Sequence, residues 1–140
     1  MQTFLPYPSF SRSARVLDMR RLGKQRVEAK QILAILLDET DRKGWRNHPA
    51  VKMWKGHTGS LARYGAEMCR EWIRRGYKDS LLPYFEARIN NSCDPRWIGN
   101  KDFHAAHKSN LLRKNVDFYS KRFKDIKDKN PNLPYVWPVS

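Results

Sequence analysis

The sequence has no long hydrophobic run: the longest, at residues 32–37, has six residues. A membrane-spanning helix needs about 20 apolar residues, and the mean hydropathy of the chain is −0.80. The first eight residues carry neither the basic region nor the apolar region of a signal peptide. We therefore expect a cytoplasmic protein without a membrane partner.

Cysteine is scarce, and familiar catalytic motifs are absent. Cys69 and Cys93 form no paired motif, so we expect reduced thiols. The chain has no phosphate-binding loop and no His-Glu-x-x-His motif. His104 and His107 lie three positions apart on a predicted helix, but two histidines without a third ligand are a weak metal signal. We predict no metal, no other cofactor, and a hydrogen-bonding or DNA-contacting role for both histidines.

Acidic residues are also few. The chain has 14 of them against 28 Lys and Arg, which gives a formal net charge of +14 over 140 residues. Such an excess indicates a polyanionic partner, with nucleic acid ahead of an anionic membrane surface. The alternative is that the charge serves only solubility. Aromatic residues, 12% of the chain, alternate with basic ones at residues 70–77 and 118–123, a mixture that suits contacts to phosphates and bases.

No segment alternates polar and apolar residues as a half-buried strand does, so the sequence predicts an all-α protein. We expect one domain over residues 1–140, a compact bundle of three to five helices between extended N- and C-terminal segments. Thr58 and Asp102 are predicted caps, Trp45 and Trp54 are predicted core residues, and Trp137 is a predicted tail anchor. The segments with helical patterns are residues 13–21, 22–37, 50–54, 59–75, 80–89 and 102–115, with further turns at 117–123.

One carboxylate has an unusual setting. Glu28 shares a helix face with Ile32 and Ile35 on one side and with Arg21 and Lys24 on the other. Burial raises the pKa of a carboxyl group and nearby cations lower it, so this position suits a general acid or an electrostatic stabiliser. The alternative is a surface ion pair with Lys24, worth only a few tenths of a kcal/mol.

A short pattern around this helix resembles a known signature. Leu17, Asp18 and Leu22, followed by Glu28 and Ala29, resemble the N-terminal signature of pyrimidine-dimer DNA glycosylases of the phage T4 endonuclease V type.

Other segments carry the same resemblance. Residues 44–49 resemble the aromatic-basic-Asn-His-Pro segment of a bacterial branch of this family, and residues 74–77 resemble the end of its central helix. Segments 1–8, 103–114 and 133–138 are similar to the start, a helix and the tail of a poorly characterised bacterial and phage branch. The resemblance to that branch spans nearly the whole chain.

The resemblance implies an all-α DNA-repair enzyme that excises the base at a cyclobutane pyrimidine dimer and cuts the strand by β-elimination. It implies that the N-terminal α-amine is the nucleophile, that Glu28 assists, and that no metal is needed. An α-amine suits this chemistry because its pKa is about 7.7–8.0 in peptides, against about 10.4 for lysine. We expect a monomer that acts on damaged double-stranded DNA.

The sequence departs from the family pattern in two places. Family enzymes lose the initiator methionine before a small residue, whereas Gln2 is bulky here. The predicted nucleophile is therefore the amine of Met1, with that of Gln2 as the alternative. The family often has arginine directly before the glutamate, whereas this chain has Val27 there and Arg26 one position earlier, which turns the guanidinium by about 100° around the helix.

The sequence leaves three functions open: a glycosylase with lyase activity, a non-catalytic DNA-binding protein of the same fold, and a glycosylase for another altered base. The residues predicted to carry the chemistry are Met1, Gln2 and Glu28. The residues predicted to contact DNA are Arg20, Arg21, Lys24, Arg26, Asn47, His48, His57, His104, His107, Lys108, Arg113, Lys114, Lys121 and Arg122.

Overall fold

All regular secondary structure is helical within residues 1–42, 44–123, 133–134 and 136–138, which the computed structural model describes. This confirms the all-α class. The helix count is higher than the predicted three to five, because several segments form short helices of four to seven residues. The seven helices of the described residues are α1 (Phe10–Val16), α2 (Met19–Leu36), α3 (Pro49–Lys52), α4 (Thr58–Arg74), α5 (Leu82–Glu86), α6 (Lys101–Lys114) and α7 (Val116–Arg122).

The boundary between α1 and α2 lies earlier than predicted. Ser9 caps α1, and the chain leaves the helix at Leu17. Asp18 then caps α2, its carboxylate accepting a hydrogen bond from the Arg21 N–H at 3.4 Å. Because a capping carboxylate satisfies a free N–H group and complements the helix dipole, the new helix begins after Asp18. Glu28 consequently lies in the middle of one 18-residue helix.

Helix α4 lies at the centre of the fold, and α1, α2 and α5 pack against it. Gly65 permits the close approach of α5, since a Cβ there would lie 2.2 Å from the Phe85 ring. The predicted helix starts shift by one or two residues. His57 takes the cap position before α4 in place of Thr58, and α6 is capped by Asn100, whose side chain binds the Phe103 N–H.

The extended N-terminal segment, residues 2–7, is buried inside the helical bundle. Phe4, Leu5 and Tyr7 belong to the hydrophobic core, which also contains Trp54. Trp45 was predicted to be in the core, but 53% of its surface is exposed. The helices therefore enclose the start of the chain, and this enclosure determines where the N-terminus emerges.

Within the residues that the structure describes, no helix is both long enough and apolar enough to cross a membrane.

Candidate active site

A polar cavity of about 830 Å³ opens beside the chain's N-terminus and the first turns of α2. Four cationic side chains and two carboxylates line it, so its charge favours an anionic ligand. The lining residues are Met1, Gln2, Phe4, Asp18, Arg20, Arg21, Lys24, Gln25, Glu28, His48, Lys114, Asn115 and Trp137.

The structure brings the three predicted catalytic residues together. The Gln2 backbone N–H donates to Glu28 Oε2 at 2.8 Å, and Met1 and Glu28 both line the cavity. One residue spans at most about 3.6 Å. The amine of Met1 therefore lies within about 3.6 Å of the backbone nitrogen of Gln2, which donates to Glu28.

Gln25 fixes the backbone on either side of Thr3. Its Nε2 donates to Gln2 O at 3.0 Å, and its Oε1 accepts from the Phe4 N–H at 2.7 Å. The Tyr64 hydroxyl lies 2.5 Å from the same Oε1 and 2.9 Å from Phe4 O. Gln25 is 1% exposed, and a buried amide that satisfies two backbone groups holds the chain in one position.

His104 and His107 hold the next residue of this segment. His104 Nδ1 lies 2.7 Å from Leu5 O, and His107 Nδ1 accepts from the Leu5 N–H at 2.8 Å. His104 Nε2 also accepts from the Gly99 N–H at 2.9 Å, so its Nδ1 carries the proton that Leu5 O accepts. The prediction of a DNA contact is corrected: both rings are buried, at 5% and 1% exposure, and bind the protein's own backbone.

Burial favours the neutral form of both histidines. Burial, followed by the nearby His104, lowers the pKa of His107 to about 3. Burial also lowers the pKa of His104, against the hydrogen bond to Leu5, which raises it. A protonated His107 would lose the Nδ1 lone pair that the Leu5 N–H needs. The pair therefore acts as a neutral clamp on the start of the chain.

His48 forms another part of the cavity wall. Its Nδ1 accepts from the Ala50 N–H at 3.0 Å, which caps α3 and leaves Nε2–H as the donor of the neutral ring. Burial and the positive N-terminus lower the pKa of His48, whereas Glu28 raises it. The ring packs edge-on against Trp45 and Trp137, with centroids 5.4 and 5.8 Å away. His48 thus presents a neutral imidazole to the site.

Asp18 lies at the edge of the cavity and accepts hydrogen bonds from within the protein. Burial raises its pKa, but hydrogen bonds from Tyr119 and Arg21 outweigh that effect and hold the pKa below its ordinary value. Arg21 Nη1 donates to Asp18 Oδ1 at 3.1 Å, so part of its charge is already matched. Among the described residues, no carboxylate lies within ion-pair distance of Arg20, Lys24 or Lys114. In this part of the chain, no neighbouring carboxylate therefore balances these three side chains.

Arg26 does not join the cavity, contrary to its predicted DNA contact. Its guanidinium binds Asp79 at 2.5 Å, with side-chain exposures of 12% and 0%, and lies over the Trp72 ring. Asp79 also accepts from the N–H groups of Leu81 and Leu82. Arg26 therefore connects α2 to the start of α5.

The other predicted DNA contacts lie outside this cavity. Asn47 is exposed on the turn before α3, and His57 Nδ1 lies 3.1 Å from Cys93 O. Lys108 lies over the Tyr7 ring, and Arg113 donates to Asn110. Lys121 and Arg122 line a shallow groove on α7 with Asn115, Asp117 and Phe118.

Sequence reasoning missed Gln25 and Tyr64 as supports of the site. The available signal was a glutamine among the otherwise apolar inward positions of α2, since a buried amide needs partners. Those partners lie 21 to 39 residues away along the chain, beyond the reach of any local pattern.

Both cysteines are free thiols, with Cys69 buried and Cys93 exposed. Burial, followed by Asp79, raises the pKa of Cys69 to about 12, so this thiol is a poor nucleophile. Within the described part of the chain, no group of three or more His, Cys, Asp or Glu side chains is arranged to hold a metal ion.

Comparison with known families identifies the protein class. The family model described as pyrimidine dimer DNA glycosylase matches residues 1–82 of the 140. The chain belongs to the pyrimidine dimer DNA glycosylase family. The matched region contains Met1, Gln2, Gln25, Glu28 and His48, but not α6, whose histidines hold the N-terminal segment. No curated protein and no solved structure matches the chain.

Proposed function

We propose that this family member removes the damaged base at UV-induced pyrimidine dimers in double-stranded DNA and then cuts the strand as a lyase. The observation that supports this most directly is the 2.8 Å hydrogen bond between the Gln2 N–H and Glu28 Oε2. It joins the start of the chain to a carboxylate inside a cationic cavity, and amine catalysis of glycosidic cleavage needs both groups.

The first step forms a bond between the neutral α-amine and C1′ of the target nucleotide. The bond from C1′ to the base breaks, and the base leaves with its electron pair and takes a proton. Glu28 stabilises the cationic sugar and accepts the proton that the amine loses. Opening of the ring at O4′, which takes up a proton, then gives a Schiff base between C1′ and the enzyme.

The second step breaks the DNA strand. The protonated imine makes the C2′ hydrogen acidic, and a base removes it. The electron pair forms a double bond between C2′ and C3′ as the 3′ phosphate leaves with the electrons of its bond to C3′. Water then hydrolyses the imine and frees the amine. Glu28 is the carboxylate in position to move these protons.

We assign the nucleophile to the amine of Met1. In the chain that retains Met1, the nitrogen of Gln2 is an amide and cannot attack. Gln2 is also too bulky for ordinary methionine removal. If Met1 were removed, the Gln2 nitrogen would itself become the amine, already beside Glu28. Both forms use the same carboxylate and the same cavity.

The cations around the cavity serve DNA binding. Arg20, Lys24 and Lys114 line it without a carboxylate partner among the described residues, and contacts of this kind to phosphates position a duplex. The net charge of +14 makes strong salt dependence an expected property. We propose that the protein works as a monomer, without metal or other cofactor.

The test uses three matched duplexes that contain a pyrimidine dimer, an abasic site or no lesion. We expect strand cleavage of the first two and none of the third. Salt-sensitive binding of all three without any cleavage would contradict the proposal and indicate a DNA-binding protein. Cleavage of the abasic duplex together with another modified base, but not of the dimer, would indicate a glycosylase of different specificity.

A further inference from the structure

His48 has one hydrogen-bonding group that the fold leaves unused. Its Nδ1 accepts from the Ala50 N–H at 3.0 Å, so Nε2, at the far end of the neutral ring, carries the proton. Within the described part of the chain, Nε2 has no hydrogen-bond partner. The side chain lines the candidate active-site cavity together with Met1 and Glu28. The ring therefore offers one N–H donor to a ligand in that cavity.

Three contacts fix the direction of this donor. The hydrogen bond from Ala50 anchors the near side of the ring, and the rings of Trp45 and Trp137 pack edge-on against it, with centroids 5.4 and 5.8 Å away. A flip of the imidazole would break the hydrogen bond from Ala50. Because the ring is already held in place, it loses little conformational freedom when Nε2–H meets an acceptor.

The same donor lies near the groups of the proposed reaction. The Gln2 N–H binds Glu28 Oε2 at 2.8 Å, and Met1 is the adjacent residue. Burial lowers the pKa of His48, the positive N-terminus lowers it further, and Glu28 raises it. Both charges therefore act on the imidazole ring. A nucleotide whose C1′ meets the amine brings the atoms around C1′ into the same part of the cavity.

The neutral state of His48 determines which kind of oxygen suits it. Phosphate oxygens are anionic, and hydrogen bonds to them from charged donors are about twice as strong as those between neutral groups. Arg20, Lys24 and Lys114 supply charged donors in the same cavity. A neutral imidazole competes poorly with them for phosphate, so its N–H suits an uncharged oxygen. In a nucleotide, the only oxygen bonded to C1′ is the uncharged ring oxygen O4′.

We propose that His48 Nε2–H donates a hydrogen bond to O4′ of the target deoxyribose. The inference rests on the proposed function, because it requires C1′ to meet the amine of Met1. When the ring opens, the bond between C1′ and O4′ breaks and its electron pair goes to O4′. The oxygen takes up the proton that Glu28 accepted from the amine. The hydrogen bond from His48 orients the sugar and stabilises O4′ in this step, while Nε2 keeps its own proton.

The test measures binding of two duplexes that the protein cannot cleave. One carries a tetrahydrofuran ring at the lesion position, which keeps O4′ but has no hydroxyl at C1′ and cannot form a Schiff base. The other carries a cyclopentane ring, in which a CH₂ group replaces O4′.

His48→Asn is the informative variant for these two duplexes. Asparagine is a favoured cap residue, so its side-chain oxygen replaces Nδ1 as the acceptor of the Ala50 N–H, but its amide is too short to replace Nε2–H. His57→Asn makes the same change at the cap position before α4, outside the cavity, and is the matched control.

We expect the unmodified protein and His57→Asn to bind the tetrahydrofuran duplex about three- to tenfold more tightly than the cyclopentane duplex, the size of one net hydrogen bond. In His48→Asn the two affinities should agree within about twofold. No preference in the unmodified protein would overturn the proposal. So would a preference that survives in His48→Asn, since another group would then hold O4′, or an equal loss of affinity for both duplexes.

Cleavage assays separate this inference from the proposed function. His48→Asn should cut the dimer and abasic duplexes about three- to tenfold more slowly than His57→Asn does, and denaturant unfolding checks that both variants are folded. Equal cleavage rates for the two variants would overturn the role of His48 in ring opening. If the unmodified protein cuts neither duplex, the proposed function fails, whereas the two uncleavable duplexes still decide whether His48 binds the ring oxygen.

Discussion

The N-terminal segment and the cationic edge of the cavity contribute to the same proposed reaction but are built in opposite ways. Gln25 and the pair His104 and His107 hold the backbone of the segment from Gln2 to Leu5. Arg20 and Lys24, by contrast, are exposed and lack a carboxylate partner among the described residues. A nucleophile needs a fixed position, whereas phosphate attraction depends mainly on charge.

This contrast predicts large effects from changes near the amine and small, salt-dependent effects from changes at the edge. The largest effect is expected for Glu28→Gln, which keeps the side chain's shape but removes its charge. Because proton transfer by a positioned group contributes about 10²–10⁴-fold, strand cleavage should fall by about that factor. Single-turnover cleavage of dimer and abasic duplexes measures the effect.

Binding to the same duplexes is the control for Glu28→Gln. Affinity should be retained or slightly higher, since a negative charge is removed from the site that we propose binds phosphates. Cleavage at the original rate would exclude Glu28 from the mechanism. Loss of both binding and cleavage would show instead that Glu28 only holds the fold together.

The second-largest effect is expected for His107→Phe. This change keeps a ring of similar shape but removes the acceptor of the Leu5 N–H. A buried N–H left without a partner costs about 1–3 kcal/mol, so the free energy of unfolding should fall by that amount. Denaturant unfolding measures it. Cleavage should fall too under conditions where the variant is folded, because the segment that carries the amine loosens.

His57→Phe is the matched control for this change. His57 Nδ1 lies 3.1 Å from Cys93 O in an exposed contact, so stability should change by less than about 0.5 kcal/mol. If His57→Phe and His107→Phe have equal effects on stability and cleavage, the clamp on Leu5 has no special role.

A pH effect of intermediate size follows from the same histidines. Their pKa values are lowered in the folded protein, that of His107 to about 3, whereas an unfolded histidine titrates near pH 6.5. The unfolded chain therefore binds more protons between these values. The stability contribution is fully present above about pH 6.5 and is lost as the pH falls toward about 3.

Unfolding experiments across this pH range test that effect. The difference in stability between the unmodified protein and His107→Phe should shrink as the pH falls from about 6.5. A difference that is constant with pH would mean that His107 does not titrate with folding.

The smallest effect is expected at the cationic edge. Lys24→Gln should leave stability within about 0.5 kcal/mol and weaken duplex binding to a similar degree for damaged and undamaged DNA. The slope of log affinity against log salt should fall by about 0.9 if one phosphate contact is lost. Lys55→Gln, exposed and outside the cavity, is the control and should leave the slope unchanged.

The local features of the fold were predictable from the sequence, and its long-range features were not. The helical pattern of residues 59–75 predicted α4 within a residue or two. The resemblance, rather than the periodicity, favoured a catalytic role for Glu28 over an ion pair with Lys24. The roles of His104 and His107 depend on Leu5, about 100 residues earlier, and two histidines on one helix do not reveal such a partner.

Arg26 is a second residue whose contact partner could not be predicted from the sequence. Its partner, Asp79, lies 53 residues away, so only the folded chain reveals that the guanidinium turns inward. The basic composition identified the type of partner, but composition does not distinguish a cation that faces the cavity, such as Lys24, from one that stabilises the fold.

In the proposed mechanism, the amine at the start of this chain attacks C1′ of a damaged nucleotide. The most direct test adds borohydride during reaction with an abasic duplex and with a dimer-containing duplex, and maps the attachment site by mass spectrometry of peptides. We expect a covalent protein–DNA adduct at the α-amine of Met1, or at that of Gln2 if Met1 has been removed. An adduct on a lysine side chain, or strand cleavage without any trapped adduct while the α-amine is free, would contradict it.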